Sequence, residues 1–330
     1  MAFNDILGNS RVKKILRIAL EKNRIPNSLL FCGPEGVGKK KIALVLAKAL
    51  NCQQKRADAC EVCPTCLAIN NRNLPDVIEI SPEGSVIKID QMRFLKQMAY
   101  LKPMTQDKRV FIVDEIEKLT EEASNSLLKI LEEPPLFSHI ILITSNPYLV
   151  LPTIKSRCQI LQFSPISKAE IERILIEKGF PEERARITAL LVRGNLEQAL
   201  TLEWEEIEMK RKDAWDFFLS FLRKEESSFF LRNYAFSKRN IAREDLEQTL
   251  EILSSFSRDF VLLKERGDSR LLLNPDYERE IQEAKKLTSL ERTLECLEQI
   301  DEALSGLTKN LNMSLLVSSF YSYAMGWNHV

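Results

Sequence analysis

The sequence predicts an α/β domain, a parallel sheet with helices on both faces, followed by an all-helical second half. Three observations predict it. Short apolar runs alternate with amphipathic segments as far as about residue 163. A glycine-rich loop stands between the first run and the helix after it. From Ser167 onward the strand pattern stops and apolar residues recur at helical spacing.

In chain order, Val12–Leu20 has helical spacing with Ser10 as its expected N-cap. Ser28–Cys32 reads as a strand entering the loop, and Lys41–Leu50 continues as a helix. After a polar, cysteine-rich stretch come strand Asp76–Ile80 and helix Gln91–Tyr100. Strand Arg109–Val113, helix Glu121–Glu132, strand His139–Thr144 and strand Gln159–Phe163 complete the series. Such alternation predicts a parallel sheet covered on both faces. Lys168–Lys178 and Glu183–Val192 predict two helices punctuated by Gly179 and Gly194, and Asn195–Leu202 starts another. Beyond residue 208, Leu246, Leu250, Leu253, Phe256, Phe260 and Leu263 form one apolar stripe. Tyr277–Ala284, Leu290–Leu307 and Leu315–Met325 supply further helices. The expected division is an α/β domain over 1–165, a small helical lid over 166–207 and a helical bundle over 208–330.

A chain of 330 residues suits two or three domains. With 45% apolar and 28% charged residues it can bury real cores. Lysines and arginines number 47, as do the acidic residues, so the net charge of zero excludes a chain-wide basic footprint for nucleic acid. No apolar run approaches the roughly 20 residues that span a bilayer. The expected compartment is therefore the cytoplasm, where the seven cysteines are thiols or metal ligands rather than disulfides.

Residues 33–40 read Gly33-Pro34-Glu35-Gly36-Val37-Gly38-Lys39-Lys40. A phosphate-binding loop needs Gly, four residues, Gly, Lys and then Ser or Thr, whose hydroxyl ligates Mg²⁺. Lys40 stands at that last position. At about 4 Å and an effective dielectric of about 20, a cation opposes each positive charge of a metal by about 4 kcal/mol. The loop amides can still cradle the phosphates of ATP or ADP, while Mg²⁺ loses a ligand and efficient hydrolysis is not expected. Asp114 and Glu115 end the Arg109–Val113 strand, where an ATPase holds Mg²⁺ and polarises water. A surface turn is the alternative.

Cys52, Cys60, Cys63 and Cys66 are spaced C-x7-C-x2-C-x2-C, enough thiolates for a closed tetrahedral zinc site of structural type. The alternative is four unrelated thiols, which sits badly with a polar stretch because free cysteine prefers burial. Cys32, Cys158 and Cys296 are expected in cores. Arg157, in Ser156-Arg157-Cys158 before the last strand, could reach a neighbouring subunit's γ-phosphate. Alone it would read as a surface residue.

These residues together resemble the clamp-loader branch of the AAA+ ATPases, found in bacterial DNA polymerase III. The matching runs are Val110–Glu115, Asn125-Ser-Leu-Leu-Lys-Ile-Leu-Glu-Glu-Pro-Pro135 and Ser156-Arg157-Cys158. Phe3-Asn-Asp-Ile-Leu-Gly8, the cysteine insertion and the helical end extend the likeness over the chain. The resemblance implies assembly with gamma/tau motor subunits and the clamp-opening delta subunit through a C-terminal collar. It implies loading of a sliding clamp onto primed DNA. Arg157 would be an arginine finger acting in trans, Ser145 a sensor-1 residue, and Arg93 a DNA-backbone contact or simply a solvated helix residue. Two departures mark the chain. Besides Lys40, Glu197 in Arg193-Gly-Asn-Leu-Glu-Gln-Ala-Leu200 stands where the motor's sensor-2 arginine would be. They imply a non-hydrolysing stator. An ATP-hydrolysing motor, or a zinc-dependent nucleic-acid-binding module on an inactive ATPase scaffold, are the alternatives.

Overall fold

In the computed structural model β1 (Ser28–Cys32), β2 (Val77–Ile80), β3 (Arg109–Val113), β4 (Ser138–Thr144) and β5 (Gln159–Gln162) form one sheet, ordered β2-β3-β4-β1-β5. All neighbours pair in parallel. The inner strands β1, β3 and β4 are buried along their whole length, which explains their unbroken apolar runs. Residues of α1 (Ser10–Glu21) and α2 (Lys39–Asn51) pack into one core, with Phe31 and Phe163 5.1 Å apart. After the short α3 (Pro64–Asn70), α4 (Ile89–Tyr100) and α5 (Glu121–Glu132) pack into a second core with Leu30, Phe111 and Leu142.

The structure describes all residues except 55, 56, 105, 106, 193, 224–242, 266, 268, 287, 288, 309, 310 and 325–330. Arg193 and Met325, at the edges of expected elements, lie outside the described residues. The chain forms two compact units, residues 1–170 with 193–198, and residues 171–192 with 199–330. The first unit also contains the single-turn α6 (Pro152–Lys155), and α7 (Lys168–Glu177) begins within it. The second unit is helical, with α8 (Glu182–Leu191), α10 (Trp204–Arg223) and the long helices Arg243–Glu265 and Leu290–Thr308, while α9 (Leu196–Thr201) starts in the first. The stripe from Leu246 to Leu263 is buried there against Trp215, Phe217, Phe218 and Phe221. Among the described residues no helix is long and apolar enough to cross a membrane.

Ser10 is not the N-cap of α1. It is the first helical residue, and Asn9 precedes it at φ 47°, a left-handed conformation asparagine tolerates. The Asn9 amide donates to the carbonyls of Val37 (3.3 Å) and Ser164 (3.2 Å) and accepts from Ser164 N–H (2.8 Å). It thereby ties the glycine loop to the exit of β5. Below the sheet, Arg109 and Asp76 form a buried ion pair at 2.8 Å, and Arg109 also donates to the carbonyls of Met98, Leu101 and Lys102. Breaking such a pair leaves an uncompensated buried charge.

His139 lies buried at the start of β4. Its Nδ1–H donates to the Pro26 carbonyl at 3.3 Å, Nε2 has no hydrogen-bond partner, and burial pulls the pKa down to about 4. The unfolded chain, titrating near 6.5, takes a proton the folded chain refuses. Stability present above about pH 6.5 is therefore lost as pH falls toward 4, by about 3 kcal/mol in all. Urea unfolding of wild type and His139→Gln at pH 7 and pH 5 checks this. The wild type should lose more stability than the variant, and equal losses would remove His139 from the account.

Candidate functional site

Strand register builds the site. Cys32 pairs with Thr144 and Ile80 with Val113, so the next residues in β1, β3 and β4 meet at one edge of the sheet. These are Gly33, Asp114 and Ser145, placed where parallel sheets take their ligands. Gly33 is required at φ 153°, because an added Cβ would lie 2.5 Å from the Phe163 carbonyl oxygen. Gly38, at φ 89°, caps α2, whose N-terminus offers amides and a positive dipole end. Gly36 lies against Asn195, which would clash with any side chain there. Glu35, Gly36, Gly38, Lys39, Lys40, Asp114, Glu115, Ser145 and Glu197 are brought together around one cleft.

Within the cleft several charged groups pair with one another or with the loop itself. Lys39 Nζ donates to the carbonyls of Gly33 (2.6 Å) and Pro34 (2.5 Å). Burial lowers its pKa, against the pull of Asp114 and Glu35. Lys40 Nζ stands 3.2 Å from Asp114 and 3.6 Å from Glu79. Lys41 pairs with Glu197 at 3.5 Å. Glu115 turns the chain at φ 54° and pairs with Lys118 at 2.9 Å. Ser145 donates to one Glu117 oxygen through its hydroxyl (2.7 Å) and its amide (3.1 Å). Burial alone would raise the Glu117 pKa, but the Ser145 and Thr144 hydrogen bonds hold it below the usual carboxylate range. The donor set does not fit Mg²⁺. The Lys40 ammonium sits against the Asp114 carboxylate that would hold the metal, and Lys40 itself stands where the loop hydroxyl would be.

Glu79, Glu117 and Arg72 are site residues that the sequence reading missed. Glu79 was the findable one, the lone charge inside the Val77–Ile80 run. Glu117 follows the acidic pair directly and carried no separate signal.

Arg157 follows α6 and precedes β5. Its Nε donates to Glu132 at 2.6 Å, and Nη2 bonds the same carboxylate oxygen. Nη1 donates to the Thr153 carbonyl (2.9 Å) and to Ser156 Oγ (3.3 Å). Glu132 ends α5, within the long Asn125–Pro135 run, so two motifs read separately in sequence meet through one ion pair. Arg93 stands exposed on α4, paired with Asp90 at 3.1 Å, and does not line the cleft.

Cys52, Cys60, Cys63 and Cys66 converge with every Sγ within 4.8 Å of the others. Zn–S bonds of about 2.3 Å make a tetrahedron with edges of about 3.8 Å, and Cys60 Sγ lies 3.9 Å from Cys66 Sγ. The four side chains can hold a metal ion. Cys52 caps the C-terminus of α2, and Cys63 caps α3 by accepting from Cys66 N–H. Burial pushes the Cys66 thiol up to about 12; against the same effect, N–H groups of Val62 and Cys63 hold Cys60 down at about 6.

The family model described as DNA polymerase III, delta subunit, matches residues 8–167. Subunit delta' of DNA polymerase III from Bacillus subtilis is 31% identical over 311 residues, covering 93% of this chain and 93% of its own. The chain belongs to the delta-prime family of DNA polymerase III subunits. It is thus a clamp-loader family member, with the parallel α/β domain and helical second half expected from the sequence. Other DNA polymerase III subunits also match. DNA polymerase III subunit tau from Bacillus subtilis is 35% identical over 211 residues, 61% of this chain and 37% of tau. Among solved structures, a DNA polymerase III gamma subunit-related protein from Thermotoga maritima is 19% identical, with 95% of this chain and 98% of that one covered and a TM-score of 0.49.

Proposed function

We propose that the chain is the non-hydrolysing stator of a clamp loader, lending Arg157 in trans to a motor subunit's ATP site. One observation carries this reading: the Lys40 ammonium lies between Asp114 and Glu79. Phosphoryl transfer in phosphate-loop ATPases needs a divalent ion bridging the β- and γ-phosphates, held by the loop hydroxyl and the strand-end carboxylate. Here the hydroxyl is missing and the carboxylate is neutralised. Lys39 turned onto its own loop leaves the amide cradle as a weak site for ATP or ADP.

Arg157 suits donation. Its guanidinium presents a planar fork of donors that matches a phosphate as well as a carboxylate, and its side chain is 31% exposed. Exchanging Glu132 for a neighbour's γ-phosphate would complete that site. The four cysteines hold structural Zn²⁺, since four thiolates leave no coordination position for substrate. Residues 166–207 serve as the lid and 208–330 as the collar that joins gamma/tau motor subunits and the delta subunit. The assembly loads the sliding clamp onto primed DNA, with Arg93 offered to the backbone. A motor reading has support in the retained Gly33, Gly38, Lys39, Asp114 and Glu115 and in the likeness to tau.

Reconstitution tests the reading. The purified chain mixed with gamma/tau-type and delta-type subunits should form one stable assembly that loads a clamp, and omission of the chain should abolish loading. Equal loading without it would overturn the proposal.

A further inference from the structure

We infer that Glu79 fixes Lys40 as a resident cation, and that the Glu79–Lys40–Asp114 cluster excludes divalent metal from the cleft. The inference deepens the non-hydrolysing reading and rests on it for its functional meaning. Glu79 lies on β2 and Asp114 directly follows β3, its neighbour in the sheet; Asp114 N–H donates to the Ile80 carbonyl at 2.9 Å. The two carboxylates therefore approach from adjacent strands and converge on a single ammonium, at 3.6 and 3.2 Å. Arg72, in the turn after α3 and at φ 54°, reaches the other oxygen of Glu79 at 3.9 Å. Two carboxylates, one ammonium and one guanidinium sum to zero charge.

The Lys40 side chain is 41% exposed, so burial does not lock it in place. A single exposed ion pair holds a lysine weakly. Two carboxylates at one ammonium, whose three N–H donors can serve both, hold it against the strand ends. Hard oxygen ligands of this kind are what Mg²⁺ or Mn²⁺ would otherwise take. Glu79 thus acts as a positioning residue, and removal of Lys40 should uncover a cation site rather than merely empty the loop.

Mn²⁺ binding to the zinc-loaded full chain, followed by electron paramagnetic resonance without nucleotide, tests this. Wild type should show no tight site in the cleft. Lys40→Ser and Lys40→Thr should each gain one site at least tenfold tighter than any wild-type site, and Asp114→Asn added to either should abolish it. Glu79→Gln added to either should weaken it at least tenfold. Thermal melts confirm that each variant is folded. A wild-type site as tight as that of the serine variant, no gain in either single variant, or a gain indifferent to Glu79 would each overturn the inference. No motor subunit is present, so failure of the Arg157 role would leave this result standing.

Discussion

Replacing Arg157 with alanine should slow ATP turnover at the adjoining motor site by about 10³-fold, the lower end of what an arginine finger contributes. Assembly should be unaffected. The local structure supports this separation: Arg157 bonds Glu132, Thr153 and Ser156, all within α6, the turn after it and the end of α5. Its loss removes an exposed ion pair, which contributes at most about 1 kcal/mol to stability. Single-turnover hydrolysis in a ring where only the adjoining site is competent gives the clean reading. Unchanged turnover, with the ring intact by size, would remove the trans role.

On the proposed reading of the four cysteines as a structural metal site, stripping the metal should destabilise the whole first unit. Cys52, Cys63 and Cys66 are not in a detached loop; they are buried in the same core as Phe3, Leu16, Leu46 and Ala49. Around them, Lys48 of α2 bonds Glu61 at 2.8 Å and Arg17 of α1 bonds Asp58 at 2.6 Å. The insertion is thus fastened to both helices that cover this face of the sheet. Structural zinc contributes its binding free energy to folding. Cys66→Ser, or chelation under reducing conditions, should cost about 5 kcal/mol and lower the melting temperature by roughly 10 °C or more. Metal analysis together with differential scanning calorimetry checks it. A metal-free wild type that melts unchanged would refute a structural metal centre.

The sheet was legible because each inner strand is buried on both faces and reads as a continuous apolar run. Its edges were less so. Asp76 reads as the first residue of β2, yet it lies before the strand with its carboxylate turned to Arg109. The short α3 was missed because cysteines and an opening proline obscure any helical period over Pro64–Asn70. At the site, the glycine loop, Asp114, Lys40 and the four cysteines were readable from spacing alone. The partner of each was not. Lys40 meets Glu79 across 39 residues, and Arg157 meets Glu132 across 25. Such pairings depend on which strands lie side by side, and the Lys40 position turns a missing hydroxyl into an occupied carboxylate.

Mg-ATP turnover by the purified chain alone, beside a gamma/tau-type motor measured under the same conditions, addresses the central claim most directly. The Lys40–Asp114 pairing predicts no turnover above the uncatalysed background. Turnover at the motor's rate, abolished by Lys39→Ala, would contradict it.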